Sequence, residues 1–227
     1  MRVRLVKILT AMAAALILAS CPTGYMPERT EYPETPPPYF HAEELFASED
    51  YGDGMTRTVF KTNDVKYWTL EGLTMWTVWG EGEAEFGRRT VRIAKVRGYS
   101  GGGYGMVFCH GEYNIGGKKT PAMLMVMINS DGYYIIGKVQ GGIFKDFGWW
   151  KTTPYINKSA GYLNEITVSY EKENGEYILE INGIEIERFR DDNEPALRGG
   201  RNGYVVVITP FDKFPDSGID VYFLEER

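Results

Sequence analysis

The stretch Leu-Glu-Ile-Asn-Gly-Ile-Glu-Ile, at residues 179–186, decides the fold class of this chain. Apolar and acidic residues alternate on both sides of Asn182-Gly183, and this is the two-residue period of a strand with one buried face. Asn-Gly readily adopts the positive φ values of a tight type I′ turn. The stretch therefore predicts an antiparallel hairpin.

Short β-branched and aromatic runs continue this pattern from Thr58 onward, and Gly, Asn, Asp or Pro separates them. Asn129-Ser130-Asp131-Gly132 is a second strong turn signal between two apolar runs. No segment after the first twenty residues keeps a helical period over ten residues. Regularly spaced runs of this kind are typical of an all-β sandwich or barrel. The predicted strands are 57–61, 75–79, 89–96, 104–110, 122–128, 133–139, 165–170, 177–181, 184–189, 204–208 and 221–224.

The predicted strand at residues 122–128 contains the run Met-Leu-Met-Val-Met-Ile at 123–128, which is apolar on both faces. In a two-layer sandwich one face of such a strand packs in the core, and the other apolar face must be shielded from solvent. A loop, a partner or a ligand in an apolar groove could supply that cover, since Met adapts to irregular contacts. A purely structural role and a ligand groove both stay open here.

The composition excludes several classes of protein. The chain has 227 residues, 31 acidic against 25 basic side chains, a net charge of −6 and 14% aromatic residues. A disordered chain has fewer aromatics, and a disulfide-stabilised miniprotein has more than these two cysteines. Nucleic-acid binders usually carry a basic surplus. We therefore expect a folded domain without a nucleic-acid partner.

Residues 1–20 resemble a bacterial lipoprotein signal peptide. A basic start precedes an apolar run at 8–19 that is too short to span a bilayer comfortably. Leu-Ala-Ser-Cys at 18–21 is similar to a lipobox, which is cut before a cysteine that then carries lipid. The resemblance implies lipid attachment at Cys21 and a membrane-anchored, extracytoplasmic location in a bacterial cell envelope. With two membranes, the outer membrane or the cell surface is expected; an ordinary signal peptide with an incidental cysteine is the alternative.

Residues 21–54 are predicted to be the lipidated cysteine and a Pro-rich, acidic tether, followed by a β-sandwich domain at 55–227. Six of the eleven prolines lie between residues 22 and 38. The triple proline 36–38 favours polyproline II, a semi-rigid spacer. We interpret the segment as a stalk, with a Pro-rich ligand for a partner protein as the alternative.

The order of segments from Gly103 onward resembles the concanavalin A-like lectin/glucanase jelly roll, especially laminin-G-like domains and the 3-keto-disaccharide hydrolase family. The matching segments are 103–108, 131–135, 164–168, 179–186, 203–207 and 221–223. The resemblance implies a two-sheet antiparallel jelly-roll sandwich. Such domains bind sugars, mediate adhesion or cleave glycans, so the fold does not decide the function.

Catalytic chemistry finds little support in the sequence. The laminarinase-type relatives use carboxylates that alternate along a strand, and Glu81-Gly82-Glu83-Ala84-Glu85 keeps that alternation. It lacks the central Asp and lies in a Gly-broken stretch, so we expect a solvated face. Cys109 and His110 are adjacent on a strand and point to opposite faces, so they do not form a nucleophilic dyad by themselves. No catalytic residue is predicted.

The sequence gives equally little support for a metal-binding site. Two histidines are too few for a His-based zinc site. The acidic turns at 191–194 and 212–220 leave calcium open, since laminin-G-like domains often hold one, but solvated turns are the simpler interpretation. We therefore expect no cofactor.

Aromatic residues are the better functional lead, because exposed rings stack on sugar C–H surfaces or on protein side chains. The candidate ligand-binding residues are Trp149, Trp150, Tyr155, Tyr133, Tyr134 and Lys138. Core packing by one tryptophan of the pair is the structural alternative. The sequence thus predicts a lipid-anchored protein that binds carbohydrate or a glycan-bearing surface without catalysis. The alternatives are a glycoside hydrolase of the 3-keto-disaccharide type and a protein-interaction module.

Overall fold

The computed structural model describes residues 39–63, 74–208 and 215–226, which form sixteen β-strands and one short 3-10 turn at Glu43–Leu45. The strands pair antiparallel, except for the parallel pair of the two strands Tyr39–His41 and Thr74–Trp79. The strands build two sheets that pack face to face. No helix in the described ranges is long and apolar enough to cross a membrane.

Sheet A contains nine strands. Its path runs in the order β1 (Tyr39–His41), β4 (Thr74–Trp79), β15 (Gly199–Ile208), β7 (Tyr104–Ile115), β8 (Lys118–Ile128), β9 (Tyr133–Gln140) and β10 (Ile143–Asp146). Two short strands lie off this path: β11 (Lys151–Thr152) pairs with β9, and β5 (Ala84–Glu85) pairs with β15.

Sheet B contains seven strands. Their order is β14 (Ile184–Phe189), β13 (Glu176–Ile181), β12 (Asn164–Glu171), β6 (Arg88–Arg97), β16 (Ile219–Glu226), β3 (Met55–Thr62) and β2 (Phe46–Gly52). The two sheets together form the two-layer jelly-roll sandwich that the sequence predicts. Every predicted strand lies within an observed strand.

The hairpin at 179–186 has the predicted form. Ile181 pairs with Ile184, and the turn residues Asn182 and Gly183 have φ values of 52° and 77°. Positive φ at both positions is the requirement of a type I′ turn, and Asn-Gly meets it at little steric cost.

The domain begins earlier than the sequence predicts. Tyr39–His41 and Phe46–Gly52, which were assigned to the tether, are strands of the two sheets. A boundary at residue 55 would separate β2 from its hairpin partner β3. The cause of the error is that β2 is an exposed edge strand after its first residue, so it lacks apolar alternation. The predicted signal peptide, Cys21 and the Pro-rich part of the tether lie outside the described residues.

The core lies between the sheets and contains large aromatic side chains, among them Trp76, Tyr104, Phe108 and Phe223. A charged group crosses this core: Arg89 of β6 donates to the carbonyl oxygens of Val107 (3.2 Å) and Gly203 (2.7 Å) in sheet A. Its guanidinium also pairs with Glu225 at 2.6 Å. These bonds join the two sheets near the first residues of β6.

A second apolar cluster covers the outer face of sheet A, the face that points away from sheet B. Met123, Met125 and Met127 of β8 belong to it and are buried, so the prediction that this run is apolar on both faces is confirmed. Phe144 lies over Gly137, where a Cβ atom would overlap its ring. Trp150 also packs against the cluster.

Candidate functional site

The chain between β10 and β12 crosses from sheet A to sheet B at one end of the sandwich. We call residues 147–157 of this segment the aromatic loop. Its backbone is fastened to β9: Lys151 and Thr152 form strand β11 opposite Tyr134 and Tyr133, and Thr153 N–H donates to Gly132 O at 3.2 Å. The loop is therefore held by strand pairing at its middle.

Contacts at its far end also hold the aromatic loop. Asn182, in the hairpin turn of sheet B, donates to Tyr155 O at 2.6 Å. Asn157 N–H donates to the side-chain oxygen of Asn164 at 2.7 Å, and Asn164 Nδ2 donates back to Asn157 O. Since both sheets hold the loop, its side chains are presented on a rigid support.

Three predicted site residues are exposed at this end of the sandwich. The exposed fractions are 51% for Trp149, 48% for Tyr155 and 38% for Tyr133. We call these three side chains the aromatic site. Tyr133 stands directly opposite Thr152 in the β9–β11 pair, so the loop and the strand bring these residues to one region. Exposed aromatic side chains on a rigid backbone are suited to stacking on a ligand.

The two adjacent tryptophans have different surroundings. Trp150 is half-buried and packs on the outer-face cluster of sheet A, where a Cβ atom at Gly103 would lie 3.2 Å from Trp150 Cη2. Trp149 points to solvent. The pair therefore combines the two roles that the sequence left open, with Trp150 as the packing residue and Trp149 as the exposed one.

Tyr134 is not placed to bind a ligand. It is buried in the core between the sheets, and its hydroxyl donates to Glu187 Oε2 at 2.9 Å. Burial and the neighbouring Glu187 carboxylate raise the pKa of Tyr134. The prediction that Tyr134 contacts a ligand conflicts with this position, because adjacent strand residues point to opposite faces and only Tyr133 faces outward.

Lys138 also lies in the interior, with 2% of its surface exposed. Its Nζ donates to both carboxylate oxygens of Asp191, at 3.0 and 3.1 Å. It also donates to the carbonyl oxygens of Asn193 (3.0 Å) and Pro195 (2.7 Å). This position conflicts with the predicted ligand-binding role of Lys138, because its ammonium group holds the 191–195 segment against sheet A.

The carboxylates at residues 81–85 are all exposed. Only Ala84 and Glu85 form a strand, and Glu85 pairs with Lys172 at 2.8 Å. Glu83 and Glu85 line a shallow cavity of about 330 Å³ together with Arg198. Their surroundings agree with the solvated face that we expected.

The Cys109 thiol is buried, and it lies 3.6 Å from the Tyr177 hydroxyl. Burial raises the pKa of Cys109 to about 12, so the thiol stays protonated near neutral pH. The neighbouring His110 ring stacks on Trp79, with 3.7 Å between ring centroids. Neither side chain is arranged as a nucleophile with its base.

The acidic turns considered for calcium are partly engaged by basic groups. The Asp191 carboxylate accepts bonds from Lys138 and from Leu197 N–H, and Asp220 pairs with Arg97 at 2.7 Å. Residues 209–214 lie outside the described ranges. Within those ranges, no three His, Cys, Asp or Glu side chains form a group that could hold a metal ion.

A cavity of about 350 Å³ lies between the β8–β9 turn and the segment that follows the aromatic loop. Its walls come from the end of β6, the β8–β9 turn and the segment that follows the aromatic loop. The lining residues are Lys95, Arg97, Gly98, Ser100, Ser130, Asp131, Lys158, Ser159 and Ala160. Lys158 is about sixty residues from Lys95 and Arg97 in the sequence, so no local motif marks the cavity.

No protein-family model matches the chain, and no curated protein matches its sequence. Solved structures do resemble it. The β-glucanase of Bacillus licheniformis has a TM-score of 0.52 at 6% identity, over 85% of this chain and 86% of that one. A Bacteroides ovatus GH16 enzyme, solved in complex with its G4G4G3G product, has 0.52 at 6% identity, over 84% and 87%.

The carbohydrate-binding module CBM66 of Bacillus subtilis has a TM-score of 0.49 at 10% identity, over 78% of this chain and 86% of that one. At these identities the likeness concerns the fold and leaves the activity open. The chain has the two-sheet jelly-roll sandwich fold that these two glucanase structures share.

Proposed function

We propose that this protein is a lipid-anchored, extracytoplasmic binding protein that recognises carbohydrate without cleaving it. The observation that carries the proposal is the aromatic site: Trp149 and Tyr155 are exposed on a loop that both sheets hold in place, and Tyr133 is exposed on strand β9, which pairs with that loop. Aromatic faces stack on the C–H surfaces of sugar rings, and a rigid platform loses little entropy when it binds.

The surroundings of the carboxylates favour binding over hydrolysis. Glycosidases of the usual kind place two carboxyl groups about 5–10 Å apart on either side of the scissile bond. On β8, the outward positions of sheet A hold Met123, Met125 and Met127. The alternating Glu81, Glu83 and Glu85 lie in a Gly-broken, exposed segment. We therefore assign no catalytic role to them.

The lipid anchor is proposed from the sequence at residues 1–21. Lipid on Cys21, followed by a proline-rich stalk, would hold the sandwich at a membrane surface within the bacterial cell envelope. The test is fractionation of cells fed a clickable palmitate analogue. We expect wild type and Pro22→Ala to carry the label in the membrane fraction, and Cys21→Ala to lose it. A Cys21→Ala protein that stays in the membrane fraction would contradict the anchor.

A glycan array with the full chain, followed by calorimetry on the best ligand, tests the proposed function. We expect Trp149→Ala to weaken binding roughly tenfold, because a stacking contact on the order of 1.4 kcal/mol is lost. Tyr51→Ala is the matched control, since Tyr51 is an equally exposed aromatic residue on β2. Absence of any glycan binding by wild type would sink the proposal. Binding that Trp149→Ala and Tyr155→Ala both leave intact would place the site elsewhere.

A further inference from the structure

The cavity at the β8–β9 turn has a basic lining, although the chain as a whole is acidic. Its lining contains three cationic side chains, Lys95, Arg97 and Lys158, and one carboxylate, Asp131. Asp220, which pairs with Arg97, offsets a second positive charge. One positive charge therefore remains in excess at this place, on a protein whose net charge is −6.

Lys158 is the cation best placed to meet a ligand. It is exposed, and within the described residues its ammonium group makes neither a hydrogen bond nor an ion pair. Its side chain crosses the β8–β9 turn, where a Cβ atom at Gly132 would collide with Lys158 Cε. The positive charge thus lies at the edge of the cavity, beside Gly132.

Lys95 places a second positive charge at the inner wall of the cavity. It is buried, its Nζ donates to Tyr99 O at 2.8 Å and to Gly102 O, and it lies 4.8 Å from the centre of the Tyr104 ring. Burial in a low-dielectric site strengthens the attraction between such a charge and an anion.

The cavity also contains the buried hydroxyl group of Ser130, which is 9% exposed and lies near the Tyr104 phenol. Buried polar groups are usually hydrogen-bonded, so a ligand oxygen that accepts a bond from this hydroxyl would contribute to binding. Ser100, which donates to Asp131 at 3.2 Å, and Ser159 add further hydroxyl groups.

We propose that this cavity binds the anionic group of an acidic sugar, a carboxylate or a sulfate ester, and that the ligand of the protein is an anionic glycan. This inference rests on the proposed carbohydrate binding, since it adds a charged subsite to the aromatic site. Charge-assisted hydrogen bonds from ammonium and hydroxyl groups are the contacts that such oxygens prefer. Tyr133 is exposed and follows the cavity-lining residue Asp131 by two positions, so a glycan bound at the cavity could extend toward it.

The test compares oligosaccharides of equal length with the full chain by calorimetry. Hyaluronan supplies carboxylates, κ-carrageenan supplies sulfate esters, and cello-oligosaccharides are neutral. We expect one anionic ligand to bind at least about tenfold more tightly than the neutral one, and more weakly as NaCl is raised. Lys158→Gln should weaken the affinity for the anionic ligand about tenfold and leave the affinity for the neutral ligand unchanged. Lys172→Gln, an exposed lysine paired with Glu85, is the matched control and should change nothing.

Equal affinity for neutral and anionic ligands, or an unchanged affinity in Lys158→Gln, would overturn the charged subsite while leaving carbohydrate binding intact. If no glycan binds, the proposed function fails, and the cavity is then tested with sodium glucuronate and sodium sulfate by NMR. Shifts of the Ser130 and Lys158 amide signals that Lys158→Gln abolishes would support an anion site. Absence of such shifts would overturn it.

Discussion

Lys138 Nζ lies 3.0 and 3.1 Å from the two carboxylate oxygens of Asp191, and both side chains are buried. Lys138 belongs to sheet A, whereas Asp191 follows β14 at the edge of sheet B. The pair therefore joins the ends of two layers. Each partner has further bonds, because Pro195 O accepts from Lys138 and Asp191 accepts from Leu197 N–H. Such complete pairing is what allows two charges to stay inside a protein.

Lys138→Met should destabilise the domain by roughly 3–5 kcal/mol, because it leaves the Asp191 carboxylate buried without its cation. Urea unfolding followed by tryptophan fluorescence measures this loss. The double variant Lys138→Met, Asp191→Leu should recover part of it, since no charge is then left unpaired. Lys145→Met is the control, because Lys145 stands opposite Lys138 on β10 and is exposed. If Lys138→Met lowers the free energy of unfolding no more than Lys145→Met does, the proposed stabilising role of the Lys138–Asp191 pair is refuted.

The ion pair of Arg89 and Glu225 predicts a stability that depends on pH. Burial acts to raise the pKa of Glu225, but the Arg89 guanidinium and the Tyr204 hydroxyl outweigh it and hold this pKa below 4.5. A carboxyl group whose pKa is lower in the folded state than in the unfolded state stabilises the fold fully at pH values above the unfolded-state pKa. That stabilisation is lost as the pH falls through the folded-state pKa.

The free energy of unfolding of wild type should therefore decrease when the pH is lowered beyond about 4.5. Glu225 should contribute at most about 1.4 kcal/mol to this decrease for each pH unit. Glu225→Gln should lower stability at neutral pH and flatten the slope in the acid range. Urea titrations across the acid range measure both effects, with the exposed Glu226→Gln as the matched control. Equal acid slopes for wild type and Glu225→Gln would contradict the prediction.

The thiol of Cys109 should be unreactive in the folded protein. Burial raises its pKa to about 12, and alkylating reagents react with the thiolate. In a Cys21→Ala background, where Cys109 is the sole cysteine, iodoacetamide at mildly alkaline pH should label the protein only after denaturant is added. Mass spectrometry measures the labelled fraction. Rapid labelling of the native protein would show that this part of the sandwich opens readily.

A structural element of this protein can be predicted from the sequence when neighbouring residues encode it. The hairpin at Asn182-Gly183 is encoded by adjacent residues, so period and turn chemistry predict it together. The edge strand Phe46–Gly52 has no buried face beyond its first residue, and only its pairing with β3 defines it. Sequence period cannot detect a strand of that kind.

The same distinction between local and long-range signals applies to the residues of the candidate site. Exposure of Tyr133 and burial of Tyr134 follow from strand alternation once the face is known, but the sequence does not say which face is outward. The role of Lys138 depends on Asp191, more than fifty residues away, and the basic cavity joins β6, the β8–β9 turn and Lys158. Contacts between such distant segments exist only after folding.

Gly137 should be essential for the cover that Phe144 forms on sheet A. A Cβ atom at Gly137 would overlap the Phe144 ring and lie 2.9 Å from Lys145 O, so Gly137→Ala would have to displace β10 or turn the ring away. Overpacking of this kind typically costs about 1–3 kcal/mol. Gly87→Ala is the matched control, because a Cβ atom there meets nothing within 4 Å. Urea unfolding should show the loss for Gly137→Ala alone. Equal stability of the two variants would mean that β10 is free to move off the outer face, and that the Met-rich cluster beneath it does not depend on Phe144.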